Sequence, residues 1–239
     1  MLIDTFIEDS LSHHHFQPII AVEHNKKIGY EVLLRSSVFP NPECTFIEAK
    51  KANKLHELDR KSITKALDTY RHLSASEENF NLFLNVFPST IVRPDFQDFL
   101  QQRLEEHQIH PEQIVLEISE SELVEDTDDL IDVSNQLKQK GFSIALDDVG
   151  KGYANFDMMI KLDLDYIKLD RLFSTKLDQS TKKQQLIQFF LQYCKTNNVQ
   201  LILEGLETEA EFETARALGI SYAQGFFLGR PKPVTHWFV

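Results

Sequence analysis

Eight short runs rich in β-forming residues recur along the chain, and helical patterns separate most of them. The runs cover residues 16–22, 28–36, 80–87, 114–119, 142–147, 165–170, 199–205 and 222–227. Most of them are nearly continuously apolar, which is typical of parallel strands covered by helices. Eight such strands predict an α/β fold of the (β/α)8 barrel type, and 239 residues suffice for one such domain. An open doubly wound sheet is the alternative, although no G-x-G-x-x-G motif follows the first strand.

The helical segments are recognised by their ends as well as by their patterns. Helices are predicted over residues 46–54, 58–72, 127–140, 182–196 and 208–219. In the last of these, Thr208 is the predicted N-cap, Glu211 occupies the capping-box position and Gly219 follows the end. The first two strands are separated by only a few polar residues, so they are predicted to form a hairpin.

Polar side chains lie late in the predicted strands. These residues are Glu31, Asn85, Glu117, Asp147 with Asp148, Lys168, Glu204 and Gln224. In a barrel the carboxyl ends of parallel strands meet at one rim, where barrel active sites are built. The pattern therefore predicts a single polar site at that mouth. Taken singly, each residue has a plainer interpretation, such as an ion pair, a turn or a cap.

Asp147 and Asp148 place two like charges side by side at the end of a predicted buried strand. Burying both is costly unless a positive charge compensates them. Two Mg²⁺ or Mn²⁺ ions would do so, because hard cations take oxygen ligands, and the absence of clustered His or Cys among these residues disfavours zinc. Two metal ions about 3.5–4 Å apart can activate water and stabilise the leaving oxygen in phosphodiester hydrolysis.

The charge and composition of the chain limit the kinds of molecule that it is expected to bind. The net charge of −12 argues against non-specific binding to DNA, RNA or an anionic membrane, but bound cations would still allow an anionic substrate. No apolar run approaches the roughly 18 residues of a membrane span, and the acidic N-terminus does not resemble a signal peptide. Cys44 and Cys194 are expected to be reduced thiols of a cytoplasmic protein. The three histidines at 13–15 are expected to form a polar approach to the first strand, with metal binding as the alternative.

Eight short motifs, in order along the chain, resemble those of the EAL domain family, the bacterial cyclic di-GMP phosphodiesterases. They are FQPI from Phe16, EVLLR from Glu31, LNV from Leu84, LEISE from Leu116, ALDDVGKGY from Ala145, IKLD from Ile167, LEGLET from Leu203 and QGFFLGRP from Gln224. The resemblance implies one domain over residues 1–239, with a short lead-in over 1–15, and a barrel whose first strand is antiparallel to the rest. It also implies hydrolysis of cyclic di-GMP to linear 5'-pGpG with Mg²⁺ or Mn²⁺, inhibited by Ca²⁺.

The resemblance carries the family's site residues onto matching positions of this chain. One metal ion would be held by Glu31, Asn85, Glu117 and Asp147, and a second by Asp147, Asp148 and Glu204. The implied catalytic residues are Lys168, which would orient or deprotonate the attacking water, with Asp148, Glu204 and Glu207. Substrate contacts would come from Gln17, Arg35 and Gln224, and Glu120 would steady the loop after Asp148. The resemblance further implies a homodimer, formed through a helix near residues 155–175.

The chain departs from the family pattern at a few positions, most of them in the loop after Asp148. Val32 replaces an alanine, Val149 a phenylalanine, Lys151 a threonine, and Ala154 and Asn155 two serines. No implied metal ligand is lost. Lys151 could be a solvated loop lysine, a phosphate contact or a charge that weakens metal binding. The altered loop motivates an alternative function, a cyclic di-GMP receptor or protein-interaction module without turnover; another metal-dependent phosphodiester hydrolase is the third possibility.

Overall fold

Eight strands form a closed barrel in chain order. The structure is a computed structural model that describes residues 2–8, 11–70, 80–119, 127–151 and 156–237. The strands are β1 (Ser12–Ala21), β2 (Lys26–Ser36), β3 (Asn81–Val86), β4 (Ile114–Ser119), β5 (Ser143–Val149), β6 (Tyr166–Leu169), β7 (Gln200–Leu203) and β8 (Tyr222–Ala223). Strands β2 to β8 are parallel, and β1 is antiparallel to both of its neighbours. The predicted barrel with an antiparallel first strand is confirmed, and the open-sheet alternative is wrong.

Helices cover the outside of the barrel. They are α1 (Leu2–Glu8), α2 (Pro42–Lys51), α3 (Leu55–Tyr70), α4 (Pro88–Ile91), α5 (Phe96–His107), α6 (Thr127–Gln139), α7 (Phe156–Lys161), α8 (Arg171–Ser174), α9 (Thr181–Asn197) and α10 (Glu209–Leu218). The capping box of α10 is confirmed: the Thr208 side chain accepts from the Glu211 amide, and Gly219 ends the helix with φ 87°. Among the described residues, no helix is both long enough and apolar enough to cross a membrane.

The interior of the barrel is closed by a layer of apolar side chains. These are the buried residues Ile19, Phe83, Val115, Ala145 and Ile202, with Ile28, Tyr166 and Tyr222 packed against them. A second, larger core lies between the outer faces of the strands and the helices. Because side chains alternate between the two faces of a strand, on β3 to β8 the residue two positions beyond a plug residue also points into the barrel. The plug therefore fixes which residues form the next layer.

The two ends of the sheet differ from the sequence expectation. Strand β1 begins at Ser12, so the three histidines lie within the strand rather than before it. Side chains alternate between the two faces of this strand. His14 is buried against the helix layer, where its Nε2 lies 2.9 Å from the hydroxyl of Ser62. Strand β8 ends at Ala223, well before residue 227. The chain turns there because Gly225 packs directly on the backbone of Leu206, where a Cβ atom would overlap it.

Candidate active site

A layer of polar side chains lies immediately above the apolar plug, at the carboxyl ends of the parallel strands. Strands β3, β4 and β5 pass from Phe83, Val115 and Ala145 in the plug to the polar residues two positions on. The layer comprises Gln17, Glu31, Asn85, Glu117, Asp147, Lys168, Glu204 and Gln224. Gln17 joins it because β1 runs in the opposite direction and pairs Gln17 with Glu31. Every strand of the barrel, or the residue just beyond it, thus supplies one member of the layer.

Lys168 lies at the centre of this layer and is fully buried. Its Nζ atom is 2.6 Å from Glu117, 2.8 Å from Glu204, 3.1 Å from Asp147 and 3.4 Å from Glu31, measured to a carboxylate oxygen in each case. Burial alone would lower the pKa of Lys168, but the carboxylates around it raise that pKa well above its ordinary value. The ammonium group is therefore held protonated in the metal-free protein.

One buried ammonium group does not satisfy four carboxylates. Burial, together with the charges of Glu31 and Asp147, raises the pKa of Glu117 well above its ordinary value. Burial likewise raises the pKa of Glu204 to about 8, although Lys168 opposes the shift. Within the described residues, both oxygens of Glu117 and one of Asp147 lack a correctly angled hydrogen bond, although Oε1 of Glu117 and Oδ1 of Asp147 lie 2.6 and 3.1 Å from Nζ of Lys168. A hard divalent cation would stabilise these buried oxygens, because it would replace the hydrogen bonds that they lack.

The geometry of the carboxylates fits such a cation. Glu31, Glu117 and Asp147 each offer an oxygen, and the three oxygens lie within 4.8 Å of one another. Glu31 is fixed by two amides: Gln224 donates to its Oε2 at 2.7 Å, and Asn85 donates to its Oε1 at 3.2 Å. All donors in this set are carboxylate or amide oxygens, which suits Mg²⁺ or Mn²⁺ rather than a metal that prefers sulfur or imidazole.

Asp147 and Asp148 both face the mouth of the barrel because β5 is irregular between them. In a regular strand, adjacent side chains would point to opposite faces. The pairing of β5 with β6 shifts register between Leu146 and Val149, and Asp148 takes a left-handed backbone conformation with φ 56°. Both carboxylates consequently line the same cavity. Burial and the neighbouring charge of Asp147 raise the pKa of Asp148, while Lys151 opposes that shift.

The loop after β7 carries Glu204 and Glu207, and the buried side chain of Glu211 anchors it. One oxygen of Glu211 accepts from the amide of Glu207 at 2.9 Å and from that of Thr208 at 3.1 Å. Its other oxygen accepts from the amide of Lys176 at 2.7 Å. Glu207 itself forms an ion pair with Arg171 at 3.2 Å and does not contact the Lys168 centre.

A cavity of about 930 Å³ opens above the polar layer. One wall is apolar and comes from α2, α3 and the end of β3, including Phe46, Leu55 and Phe87. Cationic side chains also line the cavity, namely Arg35, Lys50, Lys151 and Arg171. The cavity therefore combines an acidic floor with apolar and cationic walls.

Most sequence-predicted site residues meet in this cavity. Gln17, Glu31, Arg35, Asn85, Asp147, Asp148, Glu204, Glu207 and Gln224 line it, and Glu117 and Lys168 lie buried beneath. Gln17 donates to the carbonyl of Gly229 at 3.1 Å. Glu120 lies outside the described residues. Sequence reasoning missed Arg171, which follows the IKLD motif and could have been noticed as a cation at the end of β6.

Comparison with known proteins shows the family to which the chain belongs. The chain matches the family model of the EAL domain over residues 3–231, and it therefore belongs to the EAL domain family. It is 27% identical to the bifunctional diguanylate cyclase/cyclic di-GMP phosphodiesterase MucR of Pseudomonas aeruginosa, over 92% of this chain and 33% of that protein. It is also 27% identical to the cyclic di-GMP phosphodiesterase RocR of the same species, over 93% of this chain and 58% of that protein. The chain thus spans between a third and three fifths of these relatives.

Solved structures agree. The PaMucR phosphodiesterase in complex with c-di-GMP superposes with a TM-score of 0.88 at 26% identity, covering 99% of this chain and 98% of the other. The manganese and cyclic di-GMP complex of Klebsiella pneumoniae BlrP1 at pH 9.0 superposes with a TM-score of 0.85 at 25% identity, covering 93% of this chain and 56% of the other.

Proposed function

We propose that this protein hydrolyses cyclic di-GMP to linear 5'-pGpG with two Mg²⁺ or Mn²⁺ ions. The observation that carries the proposal is the buried oxygen cluster at the barrel mouth, where Glu31, Glu117 and Asp147 converge within metal-binding range of one another. Relatives named as cyclic di-GMP phosphodiesterases, and structures of related proteins with cyclic di-GMP, support the choice of substrate.

We assign the ligand roles that the family motifs imply. Glu31, Asn85, Glu117 and Asp147 would hold the first ion, and Asp147, Asp148 and Glu204 the second. When bound, the ions would supply activation of water and stabilisation of the leaving oxygen. The amides of Asn85 and Gln224 fix Glu31 before any ion arrives, because each donates to one of its oxygens. This preorganisation reduces the cost of arranging the ligands.

Lys168 would hold the attacking water in place. In the metal-free protein the surrounding carboxylates raise its pKa; bound ions would neutralise those carboxylates, so both proposed roles, orienting the water and deprotonating it, stand. Glu204 contacts Lys168 at 2.8 Å and would share in aligning it. Glu207 would act from the rim, through its ion pair with Arg171.

Substrate binding would use the walls of the cavity. Arg35 would contact a phosphate, with Gln17 and Gln224 close to it along the same rim. Calcium is expected to occupy the acidic centre but to inhibit turnover, because it accepts looser geometry and more ligands than Mg²⁺. A homodimer is supported by helix α7, which exposes Phe156 and Ile160 to 48% and 77%.

The receptor alternative is weaker. The changed residues of the loop at 149–155 motivate it, but the implied metal ligands of the described chain still converge. A receptor that never turns over its ligand has no need of a carboxylate cluster held at this cost.

Chromatography of the products tests the proposal. Purified protein is incubated with cyclic di-GMP and Mn²⁺, with EDTA as one control and Asp147→Asn as a second. We expect pGpG to accumulate in the Mn²⁺ sample alone. Binding of cyclic di-GMP without any pGpG would contradict the proposal and favour the receptor alternative. Preferential cleavage of another phosphodiester in a substrate panel would contradict the choice of substrate.

A further inference from the structure

Lys151 returns its side chain onto Asp148, three residues earlier. Its Nζ atom lies 3.1 Å from Oδ2 of Asp148, and its backbone amide donates to the carbonyl of Asp148 at 3.0 Å. The segment from Asp148 to Lys151 is therefore one tight turn, closed by a backbone hydrogen bond and by an ion pair. Both bonds join the same two residues.

The conformation of the turn is fixed by its backbone. Asp148 and Gly150 have φ values of 56° and 100°, both in the left-handed region. Gly150 packs against the ring of Phe173, where a Cβ atom would overlap the ring. Since Phe173 is buried, the turn rests on the core. The backbone and packing thus place the Cα atom of Lys151 within reach of the Asp148 carboxylate.

Two lysines form ion pairs with the carboxylates of the site, and each contacts a different set. Lys168 contacts Glu31, Glu117, Asp147 and Glu204. Lys151 contacts Asp148, one of the two carboxylates implied to bind only the second ion. The side chain of Lys151 is 65% exposed, so this ion pair contributes little to the free energy of unfolding. It lies, however, where a second divalent cation would have to approach Asp148.

We propose that Lys151 is a tethered counter-ion that the second divalent cation must displace from Asp148. This inference rests on the proposed function, because it takes Asp148 as a ligand of the second ion. Lys151 lowers the affinity for the second ion and leaves the first, around Glu117, nearly unchanged. Occupancy of the second position then requires a higher concentration of free metal than it would if Asp148 were unpaired.

Titration of Mn²⁺ into the purified chain, without substrate, tests this inference. Free Mn²⁺ is measured by electron paramagnetic resonance and heats by calorimetry. The test variant is Lys151→Gln, and the matched control is Lys51→Gln, which removes the same charge from an exposed i,i+3 ion pair with Glu48 on α2. We expect Lys151→Gln to tighten the weaker Mn²⁺ site about three- to tenfold and the stronger site by less than twofold.

Two further arms assign the effect to Asp148. In the background Asp148→Asn, replacing Lys151 should no longer change Mn²⁺ binding. Raising the salt concentration to about 0.5 M should narrow the difference between wild type and Lys151→Gln, because the ion pair is exposed to solvent. Identical Mn²⁺ isotherms for wild type and Lys151→Gln would overturn the inference. Weaker binding of cyclic di-GMP by Lys151→Gln with unchanged Mn²⁺ binding would also overturn it, and would assign Lys151 to the substrate phosphate.

Failure of the proposed metal-dependent function would give different results from failure of the role proposed for Lys151. If wild type binds no Mn²⁺ at all, or still binds two ions after Asp147→Asn, then the metal assignment itself is wrong. If wild type binds two ions that depend on Asp147 while Lys151→Gln and Lys51→Gln behave alike, only the role of Lys151 is wrong.

Discussion

The ammonium group of Lys168 lies 2.6 Å from the carboxylate of Glu117, and both side chains are fully buried. This pair joins the centres of strands β4 and β6 above the apolar plug. The role of this ion pair depends on whether metal ions are bound. Without metal, Lys168 is the buried cation that compensates the carboxylates around it; with metal, it would be released towards the reacting water.

The first prediction concerns Lys168→Met. Removing the ammonium leaves buried carboxylates uncompensated, so we expect the free energy of unfolding in EDTA to fall by about 3–5 kcal/mol. Urea denaturation measures the change. Added Mn²⁺ should restore much of the lost stability in the variant, because the same carboxylates would then bind the ions. Equal stability of wild type and variant in EDTA would show that the carboxylates are already neutralised by protonation.

The second prediction concerns Asp147→Asn, which preserves side-chain volume. Asp147 is the one residue assigned to both ions, so we expect its loss to reduce the rate of pGpG formation by at least about 10²-fold. Glu31→Ala should be similarly inactive. Circular dichroism and the thermal midpoint check that the fold is intact in both variants. Activity near that of wild type in either variant would show that the ligands are wrongly assigned.

The third prediction concerns Glu211, which anchors the loop carrying Glu204. Glu211→Ala leaves the amides of Lys176, Glu207 and Thr208 without their acceptor, so we expect a loss of about 2–4 kcal/mol. Glu211→Gln keeps one acceptor oxygen and should lie between wild type and Glu211→Ala. Denaturation curves measure the three proteins side by side. An alanine variant as stable as wild type would mean that water replaces the carboxylate at no cost.

The fourth prediction concerns the buried imidazole of His14. Burial lowers its pKa to about 3, with the charge of Lys65 as a smaller cause. The unfolded chain therefore binds a proton below pH 6.5 that the folded chain refuses. The stability that this group contributes is complete above pH 6.5 and is lost as the pH falls towards 3, at up to about 1.4 kcal/mol per pH unit.

The variant His14→Gln tests this pH dependence. Between pH 7 and pH 5, wild type should lose about 2 kcal/mol more stability than His14→Gln. The control His24→Gln, at an exposed position, should follow the wild-type curve. Parallel losses of stability in wild type and His14→Gln over this range would contradict the assignment.

The part of the site that could be predicted from sequence is the part that follows from strand alternation, in which every second side chain lies on the same face. Glu117 and Lys168 could be located from sequence because each follows an apolar strand residue by two positions and so shares its face. The convergence of Asp147 and Asp148 could not be located in this way, because a regular strand separates adjacent side chains. The register shift and the positive φ of Asp148 bring them together, and both depend on tertiary packing.

The ends of elements were less predictable for a similar reason. Strand β1 begins at Ser12 because Ser12 pairs with Ser36 of β2, and His14 then contacts Ser62 on α3; the local pattern contains neither long-range contact. The pairing of Glu207 with Arg171 likewise joins the loop after β7 to the first residue of α8. Motif order, by contrast, located the barrel and most of its polar layer without any knowledge of these contacts.

Anomalous diffraction at the manganese edge would show whether two metal ions bind at the barrel mouth. Crystals of the wild-type chain are grown with Mn²⁺ and cyclic di-GMP. We expect two anomalous peaks at the barrel mouth, one bound by Glu31, Asn85, Glu117 and Asp147, and the other by Asp147, Asp148 and Glu204. A single peak, or peaks away from Asp147, would contradict this expectation.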